Sequence, residues 1–244
     1  MPTTPAWPPR SLPRLYVAPP LGEGVVVTLD GSQANYLGNV LRLKEGGEVL
    51  LFDGVDGEWL ATVVEAGKKH MVLGAGRQTR PQESTPDLTL AFAPVKKGRV
   101  DWLVEKAVEL GVARLQPVIT QRTIVGKLNL ERMRAHIVGA AEQCGRTALA
   151  TIVEPFKLDT FLKGSSGTLY FADETGGEPA TAVFRPGPAT ILIGPEGGFT
   201  ADERATVRAL PGTRPISLGP RILRAETAAL AAVTAYMALA GDWR

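Results

Sequence analysis

A chain of 244 residues, 44% hydrophobic and 21% charged, has globular composition and suffices for one large domain or a small one joined to a mid-sized one. Its formal net charge of +2 is too small to announce a nucleic-acid surface by itself. One cysteine (Cys144) excludes an internal disulfide, two histidines (His70 and His136) argue against a metal site, and no apolar run approaches the roughly 20 residues that cross a bilayer.

The opening "MPTTPAWPPRSLPR" is proline-rich and lacks an apolar segment, so no secretory signal is expected and the protein is expected to be cytoplasmic. From Leu15 to Leu73 short β-type runs alternate with glycine turns, and "EVLLFDGVDGEWLATVVEAG" predicts two strands joined through "DGVDG". Residues 76–87 then turn polar and proline-bearing with no apolar period, which predicts a linker between a domain of residues 1–75 and one of residues 88–244.

Beyond the linker, strand and helix alternate. "LTLAFAP" reads as a buried strand, and "RVDWLVEKAVELG" puts Val100, Leu103, Val104, Ala107 and Leu110 on one helical face, with Gly111 as the stop. "RLQPVIT" is a further strand, and a helix follows with Asn129 as its N-cap. Strands are predicted at Thr151–Val153, Thr168–Phe171, Thr190–Ile193 and Pro215–Leu218. The helix between the last two begins at Thr200 with Glu203 at capping-box spacing, and an alanine-rich helix runs from about Arg224 to Ala240. Such alternation predicts an α/β domain with a mainly parallel sheet covered on both faces. A modest positive excess sits in its first part, where residues 81–150 hold 10 basic against 7 acidic side chains and "VKKGR" opens a helix.

In parallel sheets, ligands bind beyond the C-terminal ends of the strands. Two loops there are chemically unusual: "ILIGPEGGFT" (Ile191–Thr200) and "SLGPRILRAETA" (Ser217–Ala228), each with a Gly-Pro pair after a short apolar strand. The chain has no P-loop, and its G-x-G "GAGRQT" lacks the third glycine and the helix of a dinucleotide fingerprint. Glu196 would repel a polyphosphate, so a ligand cradled there is expected to be neutral or cationic, and S-adenosylmethionine with its sulfonium qualifies. The plainer alternative is a tight turn with an exposed acid.

"LIGPEGGFTADE" followed by "SLGPRILRAETAAL" resembles the C-terminal signature of the SPOUT methyltransferases, and more narrowly the small-subunit ribosomal RNA methyltransferase E family. "KKGRVDWLVEKAVELGVARLQPVITQRT", "HIVGAAEQCGR", "LPRLYV" and "NYLGNVLRLKEGGEVLLFDG" are similar to the same family, in order along nearly the whole chain. The resemblance implies a trefoil-knotted, mainly parallel SPOUT domain and a small N-terminal PUA-like β-barrel that binds RNA. It implies S-adenosylmethionine as cofactor, no metal, a homodimer, and methylation of N3 of one uridine in 16S rRNA in the small ribosomal subunit. Carried residue by residue, Leu192, Gly194, Glu196, Gly197 and Gly198 would form one side of the cofactor pocket, and Leu218, Gly219, Ile222 and Leu223 the other.

Arg224 and Arg221 are candidates to stabilise the developing uracil anion, with Glu196 and Glu226 the carboxylates at hand. An ion pair between Arg224 and Glu226 is the competing structural reading. Candidate RNA phosphate contacts are Arg10, Arg14, Arg42 and Lys44 in the N-terminal domain, and Lys96, Lys97, Arg99, Arg122 and Arg146 in the catalytic one. A SPOUT enzyme acting on another RNA, or a non-catalytic RNA-binding assembly factor, are the alternatives that this reading leaves open.

Overall fold

The computed structural model describes residues 12–67, 70–125 and 127–243. These divide into two units: one holds the residues up to Ser84 with Glu142–Ala148, the other Thr85–Ala141 and the residues from Leu149 onward.

In the first unit β1 (Arg14–Tyr16), β2 (Val26–Asp30), β3 (Glu48–Phe52), β4 (Glu58–Ala66) and β5 (His70–Arg80) form a sheet in the order β1-β3-β4-β5-β2. Every neighbouring pair is antiparallel except β1 with β3. Strand alternation turns Val49 and Leu51, Ala61 and Val63, and Met71 and Leu73 into one core. The expected β3–β4 hairpin is present. Its turn is held by buried Asp53, whose Oδ1 accepts from the N–H groups of Val55 at 2.9 Å and Asp56 at 2.7 Å. A short helix α1 (Gly31–Asn35) and a π-helical turn over Tyr36–Val40 follow β2.

Residues 76–80, expected as linker, are instead the last part of β5, where Arg80 stands opposite Glu58. The polar side chains that hid this strand from its hydrophobic period are satisfied across the sheet: Thr79 Oγ1 donates to Glu58 Oε1 at 2.9 Å and Arg80 Nη2 to Glu58 Oε2 at 2.7 Å.

Among the described residues, the second unit is built on eight strands: β6 (Leu88–Phe92), β7 (Arg114–Ile119), β8 (Thr151–Ile152), β9 (Phe156–Lys157), β10 (Thr168–Ala172), β11 (Glu178–Pro179), β12 (Ala189–Ile193) and β13 (Thr213–Ser217). Their order is β11-β13-β10-β12-β6-β7-β8, with β9 beside β7, and every pairing is parallel. Six helices connect them: α2 (Lys97–Glu109), α3 (Leu130–Cys144), α4 (Leu158–Gly164), α5 (Ala180–Val183), α6 (Ala201–Ala209) and α7 (Ala225–Leu239). β6 and β12 are buried at every position, which is what a parallel strand covered on both faces requires.

Alternation along β10 defines the two faces. Leu169 and Phe171 pack with Leu158 and Phe161 of α4 and Val207 of α6, while the ring of Tyr170, between them, meets Phe184 and Tyr236 at 4.8 and 6.1 Å. Both predicted caps are formed. Asn129 Oδ1 accepts from Arg132 N–H at 2.9 Å, and Thr200 with Glu203 makes a reciprocal capping box. Because β13, β10 and β12 are adjacent and parallel, the loops that follow them leave the sheet at one end.

Candidate active site

Those three loops enclose a cavity of about 510 Å³, within the roughly 300–1,000 Å³ usual for small-molecule sites. Gly194, Glu196, Gly197 and Gly198 line it from the loop after β12, and Leu218, Gly219, Ile222 and Leu223 from the loop after β13. The two Gly-Pro turns therefore share one crevice. Leu192 lies behind the wall: it is fully buried among Phe171, Phe199 and Val207, because alternation along β12 turns it into the core, and Ile193 reaches the cavity instead.

Sequence reasoning missed the third wall, the loop "ADETGG" after β10, from which Ala172, Asp173, Glu174 and Gly176 line the cavity. Asp173 organises it. Its side chain is wholly buried and accepts from Thr175 N–H at 2.9 Å, Thr175 Oγ1 at 2.8 Å, Arg204 Nε at 3.0 Å and Arg208 Nε at 2.9 Å. Burial alone would raise this carboxyl, but the Thr175 N–H, Arg208, the Thr175 hydroxyl and Arg204 together hold it below its ordinary value. The acid-bearing loop is thus tied to α6, whose capping Glu203 also accepts from Gln121 N–H at 2.7 Å. The signal in the sequence was a Gly-Gly pair just beyond a predicted strand.

The glycines of the first loop have steric reasons. Gly198 sits at φ +66°, and a Cβ on Gly194 would stand 2.5 Å from the buried ring of Phe199. Gly194→Ala is therefore expected to cost about 1–3 kcal/mol through overpacking and to weaken ligand binding by displacing the loop. Chemical denaturation and calorimetry check this, and an unchanged protein in both would refute the steric account.

Arg221 and Arg224 line the cavity and are exposed. Among the described residues no carboxylate lies within ion-pair distance of either, so the expected Arg224–Glu226 pair does not form. Glu226 is turned elsewhere, its Oε1 3.5 Å from Arg99 Nε, and it does not line the cavity. Arg99 Nη1 also stands 3.6 Å from Glu196 Oε1. Arg122 is exposed and donates to Gly197 O at 2.7 Å, which braces the first loop from outside.

The other candidate RNA contacts divide. Arg10 lies outside the described residues. Arg42, at φ +59°, Lys44 and Lys96 are exposed, and Lys97 is the first residue of α2. Arg14 and Arg146 are buried, which corrects their assignment as phosphate contacts. Arg14 pairs with Glu58 at 2.6 Å and donates to the carbonyls of Glu142 and Arg146 at 3.1 and 2.9 Å, while Arg146 pairs with Glu83 at 3.2 Å. "EQCGR" (residues 142–146) is thus a structural segment of the first unit.

The donor set suits S-adenosylmethionine on its chemistry. Two acids, Glu174 and Glu196, face the cavity with a glycine-rich main chain, and apolar Ile193, Leu218 and Leu223 form walls for a base. A parallel α/β sheet with such a cavity at its strand ends, encoded with a small β-rich unit, fits the SPOUT RNA methyltransferases, and the comparisons with known proteins assign the chain to that class. Residues 82–237 match the model of the RNA methyltransferase domain, and residues 29–74 that of the RNA methyltransferase PUA domain.

The chain belongs to the ribosomal RNA small subunit methyltransferase E family. It is 32% identical over 226 residues to the Rickettsia conorii ribosomal RNA small subunit methyltransferase E, covering 90% of this chain and 93% of that one. The Neisseria gonorrhoeae ribosomal RNA small subunit methyltransferase E, solved bound to S-adenosylmethionine, superposes with a TM-score of 0.87 at 29% identity over 96% of this chain and 100% of that one. A Legionella pneumophila methyltransferase with the same cofactor bound gives 0.86 at 31% identity over 95% and 99%. S-adenosylmethionine is the family's cofactor, and the fold class is the one expected: a trefoil-knotted SPOUT domain with a smaller PUA-like domain.

Proposed function

We propose that this protein methylates N3 of one uridine in 16S rRNA, with S-adenosylmethionine held in the cavity between the loops after β10, β12 and β13. The observation that carries this reading is the meeting of Gly194 and Gly219 in one crevice with Glu196 and two arginines that have no ion-pair partner among the described residues. Main-chain groups around Leu218–Leu223 would hold the adenine, and Glu196 and Glu174 favour the positive end of the cofactor. Bound there, S-adenosylmethionine supplies an electrophilic methyl group.

N3 carries a proton in the resting base and must lose it as it attacks. Arg224 and Arg221 stabilise the anion that develops on the uracil, with a planar fork matched to a carbonyl oxygen. Glu196 is the lining carboxylate of the first loop, and it is paired with Arg99. Electrostatic stabilisation and positioning therefore carry the reaction without a dedicated strong base, the N3 proton passing to solvent water as the N3–methyl bond forms. N3 lies on the Watson–Crick edge, so the target uridine enters unpaired or flipped out. Arg42, Lys44, Lys96, Lys97 and Arg122 supply phosphate contacts around it, with Arg10 a further candidate.

A homodimer is part of this reading. The solvent-facing side of α7 carries Thr227, Ala231, Thr234 and Ala238 with no charged residue, and Ile222 is 90% exposed nearby in sequence. A second subunit would cover that uncharged face. Among the described residues no helix is long and apolar enough to cross a membrane, and a cytoplasmic site of action goes with the rRNA substrate.

Mass-spectrometric mapping of 16S rRNA from cells with and without the protein tests the assignment. A single 3-methyluridine is expected to vanish in the deletion strain and return on complementation. A methyl group lost from another RNA, or from a ribose hydroxyl, would redirect it.

A further inference from the structure

Arg99 is the one side chain that meets the carboxylates of both catalytic loops among the described ion pairs. It projects from the first turn of α2, with Nη1 3.6 Å from Glu196 Oε1 and Nε 3.5 Å from Glu226 Oε1. These two acids lie 30 residues apart in sequence, one on the loop after β12 and the other in the first turn of the helix that follows the β13 loop. Glu226 is buried, and its Oε2 has no hydrogen-bond partner among the described residues. Without this cation both carboxylates would lose their shared ion-pair partner, Glu226 in a buried place where an uncompensated charge is costly. A forked guanidinium serves both at once, which an ammonium does less well.

We infer that Arg99 is a positioning residue for methyl transfer: by pairing with Glu196 and Glu226 together it ties the loop after β12 to the start of α7, at the end of the β13 loop, and so holds both in the cofactor-binding arrangement. This inference rests on the proposed cofactor site and departs from reading Arg99 as an RNA phosphate contact. Arg99 itself does not line the cavity. It acts through Glu196, which does.

The test compares wild type with Arg99→Gln, Arg99→Lys, Glu196→Gln and the double variant Arg99→Gln/Glu196→Gln, each first checked for folding by circular dichroism. S-adenosylmethionine binding is read by calorimetry, and RNA binding is read as its dependence on salt. The wild type must bind the cofactor; if it does not, the proposed site fails before Arg99 is at issue. Given that binding, Arg99→Gln is expected to weaken cofactor affinity about tenfold, and about twofold or less once Glu196→Gln has removed the partner, as coupled neighbours do. Arg99→Lys is expected to recover part of the loss, and the slope of RNA affinity against salt is expected to stay as in wild type. Equal losses in both backgrounds, wild-type cofactor affinity in Arg99→Gln, or a salt slope reduced by about one would each overturn the inference.

Discussion

Replacing Arg224 by alanine is expected to lower kcat about 100- to 1,000-fold while S-adenosylmethionine affinity stays essentially that of the wild type. The size follows from the environment of the side chain. Arg224 is the N-cap of α7, but its side chain makes no capping hydrogen bond, and it is exposed on the cavity wall. Among the described residues it has no ion-pair partner, so alanine removes no buried contact, and the cost to stability should stay within about 0.5 kcal/mol. On the proposed mechanism, what is lost is a positive charge that faces the uracil. Such a charge matters most when negative charge develops during reaction, so turnover falls while binding does not. Arg224→Lys should restore only part of the rate, since an ammonium offers a point charge without the planar fork. Single-turnover methylation beside calorimetric cofactor binding checks all three statements. Full turnover in the alanine variant would move the electrostatic role to Arg221.

The frame of the catalytic unit was legible because its signals are local. Uniformly apolar runs gave β6 and β12, and single capping residues, Asn129 and Thr200, marked helix starts. The elements that escaped notice, β9, α4, β11 and α5, have between two and seven residues, too few to display a helical or strand period. Two site loops could be read because the Gly-Pro pair in each announces a stiff turn with close backbone approach. The third could not, since its meaning depends on Asp173 meeting Arg204 and Arg208 from a helix some 30 residues later. Charge was the least legible property of all. Arg99, Arg14 and Arg146 look alike in a string of letters, yet one bridges the acids beside the cavity and two are interior. A basic residue reads as a phosphate contact until its carboxylate partner is placed, and those partners lie from 44 to 127 residues away. The same blindness to long-range partners hid the end of β5, where polar residues look like linker until Glu58 stands opposite.

Glu58→Ala is expected to cost about 3–5 kcal/mol, the range for removing one partner from a buried ion pair. Glu58 is 1% exposed in its side chain and is shared by Arg14, itself only 6% exposed, and Arg80. Burial would raise its pKa, but hydrogen bonds from Arg80 and Arg14 and the charge of both guanidiniums outweigh it, so the carboxyl is held below its ordinary value. For Arg14 the balance goes the other way: burial lowers its pKa, the hydrogen bond and charge of Glu58 raise it, and the nearby Arg80 charge lowers it again, so it ends below its ordinary value. Removing Glu58 therefore takes its hydrogen-bonded carboxylate from a buried cation that lies 4.5 Å above the Phe52 ring and also donates to the main-chain carbonyls of Glu142 and Arg146. The pH dependence has a definite sign. A folded-state pKa below the ordinary 4.5 means that the stabilisation by Glu58 is fully present above that value and is lost as pH falls through the folded one. Glu142, raised by burial, works in the opposite sense just above that range, since its protonation favours the folded form. Wild-type stability should hold to about pH 4.5 and fall below it, and the fall should be shallower in Glu58→Ala. Urea denaturation across that range measures both effects. A loss under about 1 kcal/mol would show that Arg14 reaches solvent in the variant, and would return it to the group of cations able to meet RNA.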